Sequence, residues 1–172
     1  PGQRLLNLEA EAAALVAAER TALNLVMRLS GIASATARLV ADLEGSGVQL
    51  ADTRKTTPGL RVLEKYAVRC GGGVNHRLGL DDAAMLKENH LAWSGGVEAA
   101  IKAVRAASPW PAQVIVEAET EADAIAAVAA GANGVLLDEF RPEALSDLVP
   151  RLRQLAMPVS YTHLRAHETF HD

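Results

Sequence analysis

Val-Ile-Val-Glu at residues 114–117 and Val-Leu-Leu-Asp at residues 135–138 are two short apolar runs that each end on a carboxylate. Between them, residues 122–130 form an alanine-rich stretch with the length of a helix. Short aliphatic runs that alternate with helix-length segments are typical of parallel strands joined by crossover helices. Residues 114–138 therefore predict a strand–helix–strand unit of an α/β fold.

The same alternation extends along the chain on both sides of this unit. Apolar runs predict further strands at residues 48–51 and 83–86, and longer amphipathic stretches predict helices at residues 60–68, 96–106 and 142–155. Upstream, residues 9–43 carry apolar side chains at helical spacing, with a break predicted at Ser30-Gly31. The expected fold class is α/β, with a parallel barrel preceded by helices.

Ionisable residues stand where four of the predicted strands end. Asp52-Thr53-Arg54-Lys55 follows the first strand, Lys87-Glu88-Asn89-His90 follows the second, and Glu117 and Asp138 end the other two. In a parallel α/β barrel the active site collects at the carboxyl ends of the strands, so we expect these groups to converge on one pocket. The alternative is that strand ends are polar simply because the chain meets water there.

The charge distribution excludes several classes of function. A net charge of −4 argues against the broad basic face of a nucleic-acid-binding protein. Residues 53–78 nevertheless carry six basic residues against one acid, which leaves room for a local basic pocket for a small anion. No stretch reaches the ~20 apolar residues of a bilayer span, and the single cysteine, Cys70, can form no internal disulfide. We expect a cytoplasmic protein without nucleic-acid or membrane partners.

The densest chemical string is Asp-Thr-Arg-Lys-Thr-Thr-Pro-Gly-Leu-Arg at residues 52–61. This string combines a guanidinium fork, a lysine charge, two hydroxyls and a Pro-Gly turn. Such a combination can bind carboxylate or phosphate oxygens. A solvated basic loop is the alternative. Cys-Gly-Gly-Gly at residues 70–73 lacks the lysine-hydroxyl ending of a phosphate loop and predicts a turn, and His76 and His90 make no zinc pattern.

Five strings, in their order along the chain, resemble the signature of the quinolinate phosphoribosyltransferases, the carboxylating nicotinate-nucleotide pyrophosphorylases of NAD biosynthesis. They are Glu-Arg-Thr-Ala-Leu-Asn at 19–24, the string at 52–61, His76-Arg77, Leu-Lys-Glu-Asn-His at 86–90 and Leu137-Asp138. The resemblance covers about residues 1–156. It implies a pentosyltransferase that uses Mg²⁺ to condense quinolinate with phosphoribosyl pyrophosphate, releasing nicotinate mononucleotide, pyrophosphate and carbon dioxide.

The resemblance also implies which cations bind the substrate. Quinolinate carries two adjacent carboxylates, so its pocket needs several fixed cations. The matching positions are Arg54, Lys55, His76, Arg77 and Lys87. Arg20 matches an arginine donated by the neighbouring subunit, which implies a homodimer with a shared site.

Acids and a lysine match the family's catalytic positions. Glu117 and Asp138 match the carboxylates that face the ribose hydroxyls and hold Mg²⁺, and Lys87 is the third catalytic residue that the resemblance implies. Glu119 competes for the role of the first acid, but the spacing to Asp138 favours Glu117.

Both ends of the chain depart from the family pattern. Residues 1–45 match the end of the N-terminal domain with its connecting helices, and residues 46–156 match the first half of the barrel. We therefore expect a partial barrel that lacks most of the N-terminal domain and the last barrel strands. Residues 157–172, with His163, His167 and His171, are expected to be a non-native tail rather than a metal site. The chain alone is expected to be poorly soluble or inactive.

Three alternatives stay open on the sequence. One is a molybdenum-transport-associated member of the same superfamily, and another is a Schiff-base aldolase with Lys87 as its amine. The third is a non-catalytic assembly module that pairs through the helical residues 9–43. The aldolase is the weaker of the two enzymes, since it needs one desolvated lysine rather than several neighbouring cations.

Overall fold

The computed structural model describes residues 2–155 and 159–162. The chain divides into two compact units, Pro1–Leu78 and Gly79–Asp172. The first unit contains the helices α1 (Ala12–Asp42) and α2 (Arg61–Cys70). The second contains β1 (Ala83–Leu86), α3 (Glu88–Ser94), α4 (Val97–Ala107), β2 (Gln113–Ala118), α5 (Glu121–Ala129), β3 (Gly134–Leu137), α6 (Pro142–Leu155) and β4 (Val159–Thr162).

α1 is one uninterrupted helix of 31 residues, so the predicted break at Ser30-Gly31 is wrong. An isolated glycine costs about 1 kcal/mol in a helix interior. The alanine, leucine and arginine side chains on both sides of Gly31 favour helix, so this cost does not end it. No helix of the described ranges, α1 included, combines the length and the apolarity that a bilayer crossing requires.

The rest of the first unit is a short parallel crossover. Ala51 pairs with Val74 in an isolated parallel bridge, and α2 connects the two paired segments. The predicted strand at 48–51 is thus reduced to one bridge, and its partner at Val74 was missed. Only one apolar residue, Val74, stands between the glycines and the polar Asn75-His76-Arg77, so no strand pattern is visible there.

The predicted turn at residues 70–73 is confirmed, and its glycines also permit a close helix contact. Gly71 caps the end of α2, and Gly72 has a left-handed φ of 87°. A Cβ on Gly71 would lie 2.4 Å from the carbonyl oxygen of Ala33 and 2.6 Å from the Cβ of Thr36. α1 therefore packs directly on the backbone at the end of α2, at a distance that only glycine allows.

The second unit is a parallel sheet in the order β1-β2-β3-β4, with helices in the connections. Alternate residues of the central strands are fully buried, among them Val114 and Val116 in β2 and Val135 in β3. They form one core with Ile101 of α4 and Leu152 of α6. Burial of such a side chain contributes roughly 1.5–3 kcal/mol, so this helix-covered face supplies most of the hydrophobic stabilisation of the unit.

Two elements of the second unit were not predicted. α3 begins directly after β1 and shows no apolar periodicity that could reveal it. β4 lies within residues 157–172, which were expected to be a non-native tail, and it pairs in parallel with β3. His163, His167 and His171 lie outside the described residues, so the expectation for them stays a prediction.

The contact at Gly71 predicts a large effect of one methyl group. We expect Gly71→Ala to lower the free energy of unfolding by about 1–3 kcal/mol, because the clash involves backbone atoms of α1. Gly31→Ala is the matched control, since nothing lies within 4 Å of the place that its methyl group would take. It should stabilise α1 by up to about 1 kcal/mol. Urea unfolding measures both, and equal stability of the two variants would contradict the close packing.

Candidate functional site

An ionisable residue marks the carboxyl end of each of the first three strands. Leu86 pairs with Val116, which places Lys87 beside Glu117 on neighbouring strands. Asp138 follows β3, and its backbone N–H donates to the carbonyl of Ala118 at 3.0 Å. Since the residue before each of the three faces the helix-covered core, the three side chains leave the sheet on its other face. The strands thus bring all three predicted catalytic residues to one edge and one face.

Lys87 and Glu117 form a bidentate ion pair at this edge. The ammonium of Lys87 lies 2.7 Å from each carboxylate oxygen of Glu117. The side chain of Glu117 is 10% exposed and that of Lys87 is 46% exposed. The carboxylate is therefore held in a shielded position while the lysine stays accessible to a second acceptor.

His90 fixes the backbone on which Lys87 sits. The backbone N–H of Lys87 donates to Nδ1 of His90 at 3.0 Å, which closes the first turn of α3. The ring of His90 also meets Trp93 edge to face, with 6.0 Å between centroids. His90 thus has a structural role, which sequence reasoning missed because α3 itself was not predicted.

Asp138 lies on a constrained piece of backbone. It is half-buried, and the following residue, Glu139, has a left-handed φ of 62°, the sole positive φ of a non-glycine residue in the described part of the chain. Such a conformation costs roughly 1 kcal/mol or more and is commonly found at functional sites. Glu119 lies in the bend after β2 and is exposed, so Glu117 rather than Glu119 meets Lys87.

The first unit carries the other predicted cations near its parallel bridge. Arg54, His76 and Arg77 are half-buried, whereas Lys55 is exposed. The Nε atom of Arg54 is buried without a hydrogen-bond partner among the described residues. A buried guanidinium nitrogen without an acceptor is costly, so this position favours an anionic ligand.

Burial and cationic neighbours disfavour the charged form of His76. Burial lowers its pKa, and the charges of Arg77, Lys65 and Arg54 lower it further, while Asp52 raises it. Its Nδ1 accepts from the backbone N–H of Arg77 at 2.7 Å, so the proton of the neutral ring is on Nε2. The substrate-binding role expected of His76 stays a prediction.

A buried ion pair that sequence reasoning missed lies beneath these residues. Lys65 of α2 pairs with Asp52, and the two side chains are 5% and 7% exposed. Asp52 also accepts from the amide of Asn75 at 2.6 Å and from the backbone N–H of His76 at 2.8 Å. Asp52 stood in the string at 52–61, but nothing in the sequence indicated a partner 13 residues away.

A second cluster holds the Thr-Thr-Pro-Gly part of the string at residues 52–61. Arg28 of α1 donates to Glu64 at 2.6 and 2.9 Å and also to the hydroxyl of Thr57. Glu64 in turn accepts from the backbone N–H of Thr57 at 3.1 Å. The loop lines an open cleft of about 450 Å³ formed by Thr56, Thr57, Pro58, Gly59, Arg61 and Val62.

Arg20 stays apart from the other predicted site residues. It is exposed on α1 and makes no hydrogen bond or ion pair within the described ranges. Its surroundings on the helix are apolar and equally exposed, including Val16 and Leu23. Within this one chain, its predicted role is therefore neither supported nor opposed by a contact.

Comparison with known proteins supplies the family. Residues 32–162 match the sequence profile described as quinolinate phosphoribosyl transferase, C-terminal domain. The chain belongs to the quinolinate phosphoribosyl transferase family. The family that the sequence resemblance predicted is thereby confirmed.

Named relatives agree with this assignment. The chain is 48% identical over 142 residues to a probable nicotinate-nucleotide pyrophosphorylase [carboxylating] of Bacillus subtilis, covering 83% of this chain and 49% of the relative. It is 44% identical over 147 residues to the human nicotinate-nucleotide pyrophosphorylase [carboxylating], covering 84% and 50%. The chain thus spans about half the length of these relatives.

Solved structures of this family have the same fold. NadC from Streptococcus pyogenes matches with a TM-score of 0.79 at 44% identity, covering 89% of this chain and 52% of that protein. The nicotinate-nucleotide pyrophosphorylase from Francisella tularensis matches with a TM-score of 0.83 at 37% identity, covering 92% and 56%. The predicted α/β class with a partial barrel is confirmed.

Membership in the quinolinate phosphoribosyl transferase family does not favour the alternatives. The named relatives are pyrophosphorylases rather than transport-associated proteins or assembly modules. The aldolase is opposed by the geometry as well, because a Schiff-base lysine is desolvated, whereas Lys87 is 46% exposed and paired with Glu117.

The described residues include carboxylates that suit the Mg²⁺ implied by the sequence resemblance. Glu117 and Asp138 are two carboxylates at one sheet edge, and no group of three or more metal-ligating side chains occurs in the described part of the chain. Mg²⁺ in phosphate-binding sites takes one or two carboxylates, with substrate oxygens and water completing its shell. The donor set therefore suits an ion that arrives with a pyrophosphate.

Glu64 makes the stability of the first unit depend on pH. Burial raises its pKa, but the hydrogen bonds from Arg28 and Thr57 outweigh burial and hold the pKa below the ordinary 4.5. A lowered carboxyl pKa contributes stability that is complete above about pH 5 and is lost as the pH falls through the folded-state pKa. We expect Glu64→Gln to lower the free energy of unfolding by about 1 kcal/mol at pH 7 and by less at pH 3. The loss at pH 7 is modest because solvent screens the half-exposed Arg28.

Urea unfolding at the two pH values measures this difference. The control is Glu121→Gln, which removes a pair with Arg151 in which both side chains are about half exposed. That variant should change stability by less than about 0.5 kcal/mol at either pH. An equal cost of Glu64→Gln at pH 7 and pH 3 would show that its charge is not the source of the stabilisation.

Proposed function

We propose that this chain provides the substrate-binding barrel face of a carboxylating nicotinate-nucleotide pyrophosphorylase. The enzyme transfers the phosphoribosyl group of phosphoribosyl pyrophosphate to quinolinate and releases nicotinate mononucleotide, pyrophosphate and carbon dioxide. The observation that carries the proposal is the buried Nε of Arg54, which lacks an acceptor among the described residues. A carboxylate of a diacid substrate supplies that acceptor.

The reaction needs orientation and shielding from water more than it needs a protein nucleophile. The ring nitrogen of quinolinate attacks the anomeric carbon, and the bond to pyrophosphate breaks with its electron pair. The alkylated ring is cationic, so it accepts the electron pair released when the adjacent carboxylate leaves as carbon dioxide. A proton then takes the vacated carbon. Binding both substrates in reacting geometry supplies the main rate enhancement.

Each group of residues has a role that follows from its chemistry. Arg54 and Arg77 offer planar donors for the two carboxylates, and His76 offers the neutral N–H of Nε2. Lys87 orients a substrate carboxylate, which shares or replaces its present acceptor, Glu117. Lys55 is exposed and adds positive charge at the entrance.

Magnesium is part of the proposal. Glu117 and Asp138 would hold the ion, which supplies positive charge to the leaving pyrophosphate. Glu117 is oriented for this task by its ion pair with Lys87, and Asp138 by the constrained backbone at Glu139. No other donor is required of the protein, since the pyrophosphate supplies the remaining oxygens.

The proposed enzyme is a cytoplasmic homodimer in which Arg20 enters the site of the neighbouring subunit. Val16 and Met27 are 75% and 60% exposed on α1, on either side of Arg20. Exposed apolar side chains along a helix favour burial against another protein surface. The reaction involves two small anionic substrates, and it requires neither nucleic acid nor membrane.

The proposal predicts a specific loss in a Lys87 variant. In the full-length protein that the gene encodes, we expect Lys87→Ala to lower kcat/KM for quinolinate by about 10- to 100-fold, the value of one charge-assisted contact. The matched control is Lys102→Ala on α4, which changes an exposed lysine away from the strand ends. Steady-state kinetics with varied quinolinate measures both. Parental kinetics of Lys87→Ala would remove Lys87 from the site.

The shared site is tested by mixing two inactive variants. Arg20→Ala and Lys87→Ala should each abolish most activity, but a mixed dimer contains one site with both residues intact. Equal mixing after subunit exchange should restore about a quarter of the parental activity, because half the dimers are mixed and each has one working site. Activity that stays at the level of the separate variants would exclude donation of Arg20 by the neighbour.

A further inference from the structure

The carboxylate of Asp52 joins three separate parts of the first unit. Its Oδ1 accepts from the ammonium of Lys65 and from the backbone N–H of His76, and its Oδ2 accepts from the amide of Asn75. The ammonium of Lys65 donates in addition to the carbonyl of His76 at 2.8 Å. Asn75 also donates to the carbonyl of Lys65 at 2.9 Å. The backbone of His76 is therefore held on both its N–H and its carbonyl side.

This network lies where the two parallel segments of the first unit end. Ala51 and Val74 are paired, and the backbone N–H of Asp52 donates to the carbonyl of Val74 at 3.1 Å. Beyond this pair the regular ladder stops. From here on, the relative position of the two chain segments depends on the side chain of Asp52.

Buried charges are a costly way to join two strand ends. Each ion loses its hydration, and apolar side chains of similar volume usually hold a core equally well. A carboxylate differs from an apolar side chain in that it fixes its donors in direction as well as in distance. The ion pair is thus better explained by the orientation that it gives to the segment of His76 than by a gain in stability of the unit.

We propose that Asp52 and Lys65 are positioning residues for quinolinate. Their ion pair fixes the strand end from which Arg54, His76 and Arg77 are presented to the two carboxylates. This inference rests on the proposed function, because it assigns the oriented groups to that substrate. Lys65 belongs by sequence to the basic block at 53–78, yet its charge acts inside the protein and not on the substrate.

The pair also contributes to the pKa of His76, after burial and the charge of Arg77. The charged groups that face this imidazole are Arg54 and Asp52 from the first segment, Lys65 from α2 and Arg77 from its own segment. Lys65 lowers the pKa of His76 and Asp52 raises it. Removal of one partner should therefore shift this pKa in a direction that identifies the partner.

The decisive variant is Asp52→Asn/Lys65→Met in the full-length protein. It removes both charges together and leaves an amide oxygen that can accept from the backbone N–H of His76. We expect a cooperative melt, a rise of about tenfold or more in KM for quinolinate and a change below about twofold in KM for phosphoribosyl pyrophosphate. The control is Glu121→Gln/Arg151→Met, which removes an exposed pair and should leave both KM values unchanged.

Titration of His76 by NMR, assigned with His76→Gln, gives a second readout on the single variants. Lys65→Met should raise the pKa of His76 and Asp52→Asn should lower it. These shifts together with the selective loss for quinolinate support the inference. Equal losses for both substrates, unchanged quinolinate kinetics or a double variant without a cooperative melt would overturn it. A parental enzyme that does not turn over quinolinate would instead refute the proposed function.

Discussion

Parallel strand pairing is the constraint on which the candidate functional residues of each unit depend. In the second unit, the pairing of Leu86 with Val116 and of Ala118 with Leu137 leaves no freedom in where the next residues lie. Their side chains must leave one edge of the sheet, on the face that the helices do not cover. In the first unit one bridge, Ala51 with Val74, does the same for two segments. A shift by one residue would turn these side chains into the hydrophobic core.

Several basic side chains are bound by acceptor groups of the protein itself. Ion pairs with carboxylates hold four basic residues in the described part of the chain: Arg28 with Glu64, Lys65 with Asp52, Lys87 with Glu117, and Arg151 with Glu121. Arg61 is bound to the hydroxyl of Thr56 and the carbonyl of Leu78. A basic run in the sequence therefore overstates the charge that a substrate meets. Only a few donors, each fixed in direction, are then left for the proposed diacid substrate. This favours recognition by geometry over attraction by net charge.

The sequence predicted what depends on local pattern. The helices and strands of the second unit follow from apolar runs and helical spacing, and Gln113–Ala118 and Pro142–Leu155 lie close to their predicted bounds. It did not predict α3, whose start is fixed by the contact of Lys87 with His90. Nor did it predict the partner of Asp52, Lys65, which lies 13 residues away in α2, because such a pair has no local sequence pattern. The break at Ser30-Gly31 failed because the weak helix propensity of glycine was overridden by its neighbours.

The lowered pKa of His76 also limits the positive charge near Arg54 and Arg77. The proposed substrate, quinolinate, would bring two negative charges, for which Arg54 and Arg77 would provide two guanidinium groups from half-buried positions. A third full charge beside them would be uncompensated whenever the site is empty, and a buried uncompensated charge is among the most costly groups in a protein. An imidazole whose pKa is lowered by burial and by its cationic neighbours avoids this cost, yet the neutral ring keeps an N–H group that can donate to a carboxylate. A lysine at this position would lose that advantage, because its ammonium is charged unless strongly desolvated.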